Sequence, residues 1–192
     1  MERACYVDSV NEPNLPPSTW HIRSLAIVGW GSTGVLALLG QAIWRLTPLA
    51  LEPLRGGRLE RSQAALYVGW VLAAAHTEGY RAFQRGFSPR VVARAVYLAR
   101  RPKPLRVLLA PAFCLSLFHA NRRGLARAWG ILITMIALVV IVHRTPQPWQ
   151  GIVDGGVVVG LVWGQIAILY FLARALAGYP ISVRLDVPES AA

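Results

Sequence analysis

Long apolar runs alternate along the chain with short polar connections rich in arginine, proline and glycine. The first run, residues 25–46, holds no charge before Arg45, and Arg23 stands just outside it. Its length matches the roughly 20 residues a bilayer-spanning helix needs. Trp30 and Trp44 are spaced to sit toward the two interfaces, where indole rings are favoured. Pro48, Pro53 and the pair Gly56-Gly57 punctuate the connection that follows. A second run, 64–85, is apolar to Ala75 and turns polar at His76. Ser88-Pro89 then reads as the cap and first residue of a new helix. Arg90, Arg94 and Arg101 recur there at helical spacing, which predicts a short basic helix over 89–101 lying on the membrane surface.

The third run, 105–120, has 16 residues and contains Pro111. As a helix it would be about 24 Å long, short of a hydrocarbon core of roughly 30 Å. It therefore either crosses where the bilayer thins or enters only part of the way. A fourth run covers 125–143 and a fifth 152–176. The expected fold is all-α: a polytopic helical membrane bundle of four or five transmembrane helices plus the short basic interfacial helix. A polar tail, 1–24, precedes it and another, 178–192, follows. Glu2, Asp8, Glu12 and three prolines make the first tail unlike the basic start of a signal peptide, so the first run reads as an uncleaved anchor. No internal repeat emerges, so inverted-repeat transporter folds gain no support.

Composition agrees with the pattern. Hydrophobic residues make up 55% and charged residues 15%, and mean hydropathy is +0.44; soluble domains carry about 25% charge. The net charge of +11 would suggest nucleic acid in a soluble protein, but here the charges flank apolar runs, as loop charges do. All basic residues but Lys103 are arginine, which with the abundance of alanine, glycine and valine suggests a GC-rich bacterial genome and an inner-membrane location. Cys5 and Cys114 cannot form a disulfide framework, and Cys114 reads as a small buried hydrophobe.

Charge also sets the expected orientation. No acid occurs between Glu78 and Asp154, while eleven basic residues fall from Arg81 to Arg127. Cytoplasmic loops carry the excess of arginine and lysine, so this segment and the amino terminus are expected inside. Five crossings place eleven basic residues inside against nine outside; four crossings place fifteen against five. The charge rule favours four and hydropathy favours five.

Four groups of residues could carry chemistry. The first is an intramembrane polar cluster of His76, Glu78, Tyr80 and Arg81, because ionisable groups inside a span are costly and usually functional. Glu78 and Arg81 are three apart and could pair across one helical turn; breaking a buried pair costs roughly 3–5 kcal/mol. The competing reading has the helix leaving the membrane here, with Arg81 and Arg85 reaching the headgroups. The second is Asp154, either a helix-dipole acid in a first turn or the partner of an intramembrane cation. The third pairs His76 with His119 as axial haem ligands, which their unequal distances from the intervening loop disfavour, so no cofactor and no metal is expected. The fourth is the glycine set Gly151, Gly155, Gly156, Gly160 and Gly164, whose four-residue spacing lets helices approach closely, within the chain or across a dimer. Arg90, Arg94, Arg100, Arg101 and Lys103 are the expected basic contacts to anionic lipid headgroups.

No GxSxG, HExxH or phosphate-binding loop is present. The favoured functional expectation is a non-enzymatic subunit or assembly factor that binds other membrane proteins or a second copy of itself. A small transporter or channel using Glu78, Asp154 and His76, and a membrane enzyme acting on a lipid or quinone, are the alternatives.

Overall fold

A computed structural model describes residues 21–56, 59–179, 181 and 183. The expected tails, with Cys5, therefore lie largely outside the described residues, as do Gly57 and Arg58. The described chain is all-helical. Seven α-helices run α1 (Ile22–Arg55), α2 (Arg61–Ala74), α3 (Ser88–Arg100), α4 (Pro104–Leu108), α5 (Ala110–Cys114), α6 (Arg122–His143) and α7 (Trp149–Leu176), with a π-helical segment, Ala75–Phe87, between α2 and α3. Three helices are long and apolar enough to cross a membrane: α1, residues 124–143 of α6, and α7.

Local chemistry explains the ends. Glu60 and Gln63 form a reciprocal capping box at the start of α2. The Asn121 side chain accepts the Gly124 amide at 2.7 Å, capping α6. Helix α1 runs through Pro48 and Pro53. Beside Pro48, Thr47 turns its hydroxyl back to donate to the Ile43 carbonyl. The break expected at the first proline therefore moves to the glycine pair, eight residues later.

Two other expectations change. Ser88 does not open a separate helix: the helical path is continuous from Arg61 to Arg100. Both Ser88 and Pro89 are buried. The preceding turns supply the geometry a cap would otherwise provide, and proline, lacking an amide hydrogen, is tolerated where the wider π turns give way to α3. The third run forms no single helix. It yields two five-residue helices, α4 and α5, with Pro111 near the start of the second. Each is about 7.5 Å long, far below a bilayer's thickness.

The chain divides into two compact units: residues up to 35, 88–130 and from 168 form the first, and 36–87 with 131–167 the second. The first unit holds an apolar cluster of Leu98, Ala110 and Phe113, against which Ile27, Tyr97, Val107 and Phe118 pack. Small residues admit α5 to α1: a Cβ at Gly31 would touch Cys114 Sγ at 3.0 Å, and one at Gly34 would collide with the Pro111 ring. In the second unit α7 packs on two neighbours. Gly151 of α7 meets Leu49 and Pro53 of α1, and Gln165 meets Leu36 and Gly40, so these helices are antiparallel. Gly155 meets Tyr67 and Gly164 meets Phe83, so α7 runs parallel to the chain from α2 into the π segment.

Candidate functional site

The glycine row of α7 is a set of sockets filled from within the chain. Pro53 covers Gly151, Tyr67 covers Gly155, Trp70 and Ala74 cover Gly156, Glu78 covers Gly160, and Phe83 covers Gly164. Polar contacts stitch the same surfaces. Gln165 Nε2 donates to the Leu36 carbonyl at 2.9 Å, Trp163 Nε1 donates to Gln84 Oε1 at 2.9 Å, and the Tyr67 hydroxyl donates to the Ala50 carbonyl at 3.1 Å. The face that could have paired two copies of the chain is thus occupied by the chain itself.

The π segment decides where the intramembrane polar residues point. Its partners on α7 are met by Ala74, Glu78 and Phe83, steps of four and then five, against even steps of four on α7. An α-helix would have brought position 81 or 82 round after position 78. The wider π turn, bonded from i to i+5, brings Phe83 instead. Arg81 consequently stays exposed, while Glu78 Oε2 lies 2.9 Å from where a Gly160 Cβ would be. The Glu78–Arg81 pair expected from three-residue spacing does not form. Gly160 is the twelfth residue of a 28-residue helix, so Glu78 sits beside the middle of α7 rather than at a helix end.

The other cluster members face outward. His76 stacks on Tyr80 with ring centroids 5.9 Å apart, and Arg85 Nη2 donates to the Tyr80 hydroxyl at 2.8 Å. Asp154 is 5% exposed, and its Oδ2 has no hydrogen-bond partner. Because α7 begins at Trp149, Asp154 lies in the second turn, and no acid occupies the first. The dipole account is therefore replaced by a buried carboxyl in an apolar helix. His76 belongs to the second unit and His119 to the first, and among the described residues no three histidine, cysteine or acidic side chains gather as a metal site.

An expected result follows for the acids. Glu78→Gln keeps the shape and removes a charge that has no partner, so it should leave the melting temperature unchanged or raise it. Asp154→Asn should do the same, since an unpaired buried charge is unfavourable. A fall of more than a few degrees in detergent-solubilised protein for either variant would show a charge partner.

Arg94 parts company with the other arginines of α3. It is 1% exposed. Its Nε donates to the Phe113 carbonyl at 2.7 Å, and its Nη2 to the carbonyls of Phe118 and His119 at 3.3 and 3.2 Å. Its guanidinium lies 4.3 Å from the Phe113 ring centroid. It ties down residues 113–119, where Ser116 (φ 60°) and His119 (φ 51°) take left-handed conformations uncommon without glycine. Arg90 is half-buried, while Arg100, Arg101 and Lys103 are exposed, with Arg101 over the Tyr97 ring.

Two features went unmarked in the sequence. One is the socket at Gly31 and Gly34, detectable as a further pair of small residues on an apolar run. The other is Arg106, 6% exposed although it stands in a five-residue helix beside Lys103; nothing in its local sequence distinguishes it from a solvated arginine. Compared with known families, curated proteins and solved structures, the chain matches none.

Proposed function

We propose that the chain is a four-crossing bacterial inner-membrane protein, amino terminus inside, that serves as a non-catalytic subunit or assembly factor for other membrane proteins. The crossings are α1, the helical path 61–87, α6 and α7. Support comes from the connections: Gln147 donates to Glu52 at 3.2 Å, so the 144–148 connection meets the end of α1 that leads into the 56–60 connection. The short helices α4 and α5 then remain on the side that carries the basic excess. Fusions of a compartment reporter after residues 95 and 124 should both read cytoplasmic. Opposite readings at the two sites would restore the fifth crossing.

The observation that carries the subunit reading is the exposure of α6. Residues 131–141 are apolar throughout, except for Thr134, and every one is exposed. Only 6% of the helix's most apolar window is buried, against 33% for α7. A spanning helix this weakly packed on its own bundle leaves a whole cylinder for a neighbouring helix, and contact through packed side chains is what drives helix association in lipid. The exposed Arg100, Arg101 and Lys103 are placed to meet anionic headgroups, each worth about 1 kcal/mol. A photo-crosslinking side chain at Ile136, and not one at the equally exposed Leu38 of α1, should give a discrete protein adduct in living cells. Lipid adducts alone at both positions would sink this reading.

A second reading, a small transporter, is favoured by the unpartnered carboxyls of Glu78 and Asp154. A cavity of about 440 Å³ in the second unit is lined instead by Pro48, Glu52, Arg55, Gln147 and their neighbours. Loss of a cellular transport phenotype in a stable Glu78→Gln variant would favour the transporter.

A further inference from the structure

We infer that Arg106, with Lys103 and His119 beside it, forms a binding site for a phosphate group. Arg106 is more than nine-tenths buried, yet it makes no hydrogen bond or ion pair with any described residue. A guanidinium is always charged and carries five donors in a planar fork matched to phosphate oxygens. Burying one without an acceptor is costly, and a bound anion removes that cost. The surroundings are cationic. The His119 imidazole is held below its ordinary range by partial burial and then by the charges of Arg106, Lys103 and Arg94. All three cations thus converge on one ring, and no acidic side chain offsets them there.

The frame is rigid enough to serve. Arg94 spends its own donors on the carbonyls of 113, 118 and 119 and so fixes the His119 backbone. Lys103 immediately precedes α4, which carries Arg106, and α4 leads into α5, seated on Gly31 and Gly34. The ligand chemistry is a phosphate monoester or diester, drawn either from an anionic lipid headgroup or from a soluble phosphate compound.

Full-length protein in a neutral detergent separates these sources. Thermal melting is followed with phosphatidylglycerol, with phosphatidylcholine and with inorganic phosphate. Stabilisation by phosphatidylglycerol alone identifies a lipid site, and stabilisation by inorganic phosphate as well identifies a soluble ligand; both support the site. In Arg106→Gln the ligand's apparent affinity should fall about tenfold or more, the effect of losing a charge-assisted hydrogen bond. Without ligand, that variant should melt no lower than wild type, since it loses only an unpaired buried charge; a merely structural arginine would give a lower melting point. Lys103→Gln should weaken binding less, and the exposed Arg100→Gln should leave it within about twofold, the small effect of a surface charge. The site is overturned if no phosphate-bearing ligand shifts the melting point, if phosphatidylcholine acts as well as phosphatidylglycerol, or if Arg100→Gln and Arg106→Gln weaken binding equally.

Discussion

Arg94→Met should abolish most of the folded protein, the largest loss expected from any single arginine. Methionine is long enough to fill much of the space and removes the donors. Three main-chain carbonyls, of Phe113, Phe118 and His119, would then lose their partner. An unsatisfied buried acceptor costs about 1–3 kcal/mol, so a total on the order of 3–5 kcal/mol is expected. Native proteins have only about 5–15 kcal/mol of stability to lose. The damage should concentrate on residues 113–119, whose left-handed turns at Ser116 and His119 rely on those bonds. Arg94→Lys should recover little, because a single ammonium cannot reach three carbonyls as a planar fork does. The exposed Arg101→Met should melt like wild type. Fluorescence-detected size exclusion after a heating series reads all three, and an Arg94→Met protein as stable as wild type would remove Arg94 from its structural role.

The second large effect belongs to the α7 sockets. A methyl group added at Gly151 would collide with the Pro53 ring and come within 2.9 Å of the Leu49 carbonyl oxygen. Neither obstacle is the free end of a flexible side chain, so relief requires α1 and α7 to move apart. Overpacking of this kind costs about 1–3 kcal/mol, and separating the helices adds the loss of contacts further along. Gly164→Ala, against the Phe83 ring, should behave similarly. Gly29→Ala provides the control, because nothing lies within 4 Å of that position; there alanine's better helix propensity should leave stability unchanged or raise it by up to about 1 kcal/mol. Equal melting of Gly151→Ala and Gly29→Ala would mean that α1 and α7 are not in contact at this glycine.

The linear order of residues was enough to place the first, fourth and fifth apolar runs as long helices, since length and the absence of charge act within a segment. It was enough to name the α7 glycines, because four-residue spacing is a property of one helix. It also showed that the third run is too short to cross easily, and the structure finds two five-residue helices there.

Tertiary structure decided what depends on partners distant in sequence. Spacing of three residues promised a Glu78–Arg81 pair, but that inference assumes α-helical turns. The π segment, packed against α7, widens the turn and sets Glu78 on Gly160 while Arg81 faces away. Arg94 and Arg90 stand one turn apart on α3 and look alike in sequence. Only the arrival of α5 and the turn after it, nineteen or more residues on, buries Arg94 and gives its donors carbonyls to meet. The same holds for Arg106. A charge is a local property of the chain, but whether it is solvated, paired or left waiting for an anion depends on which backbone folds over it.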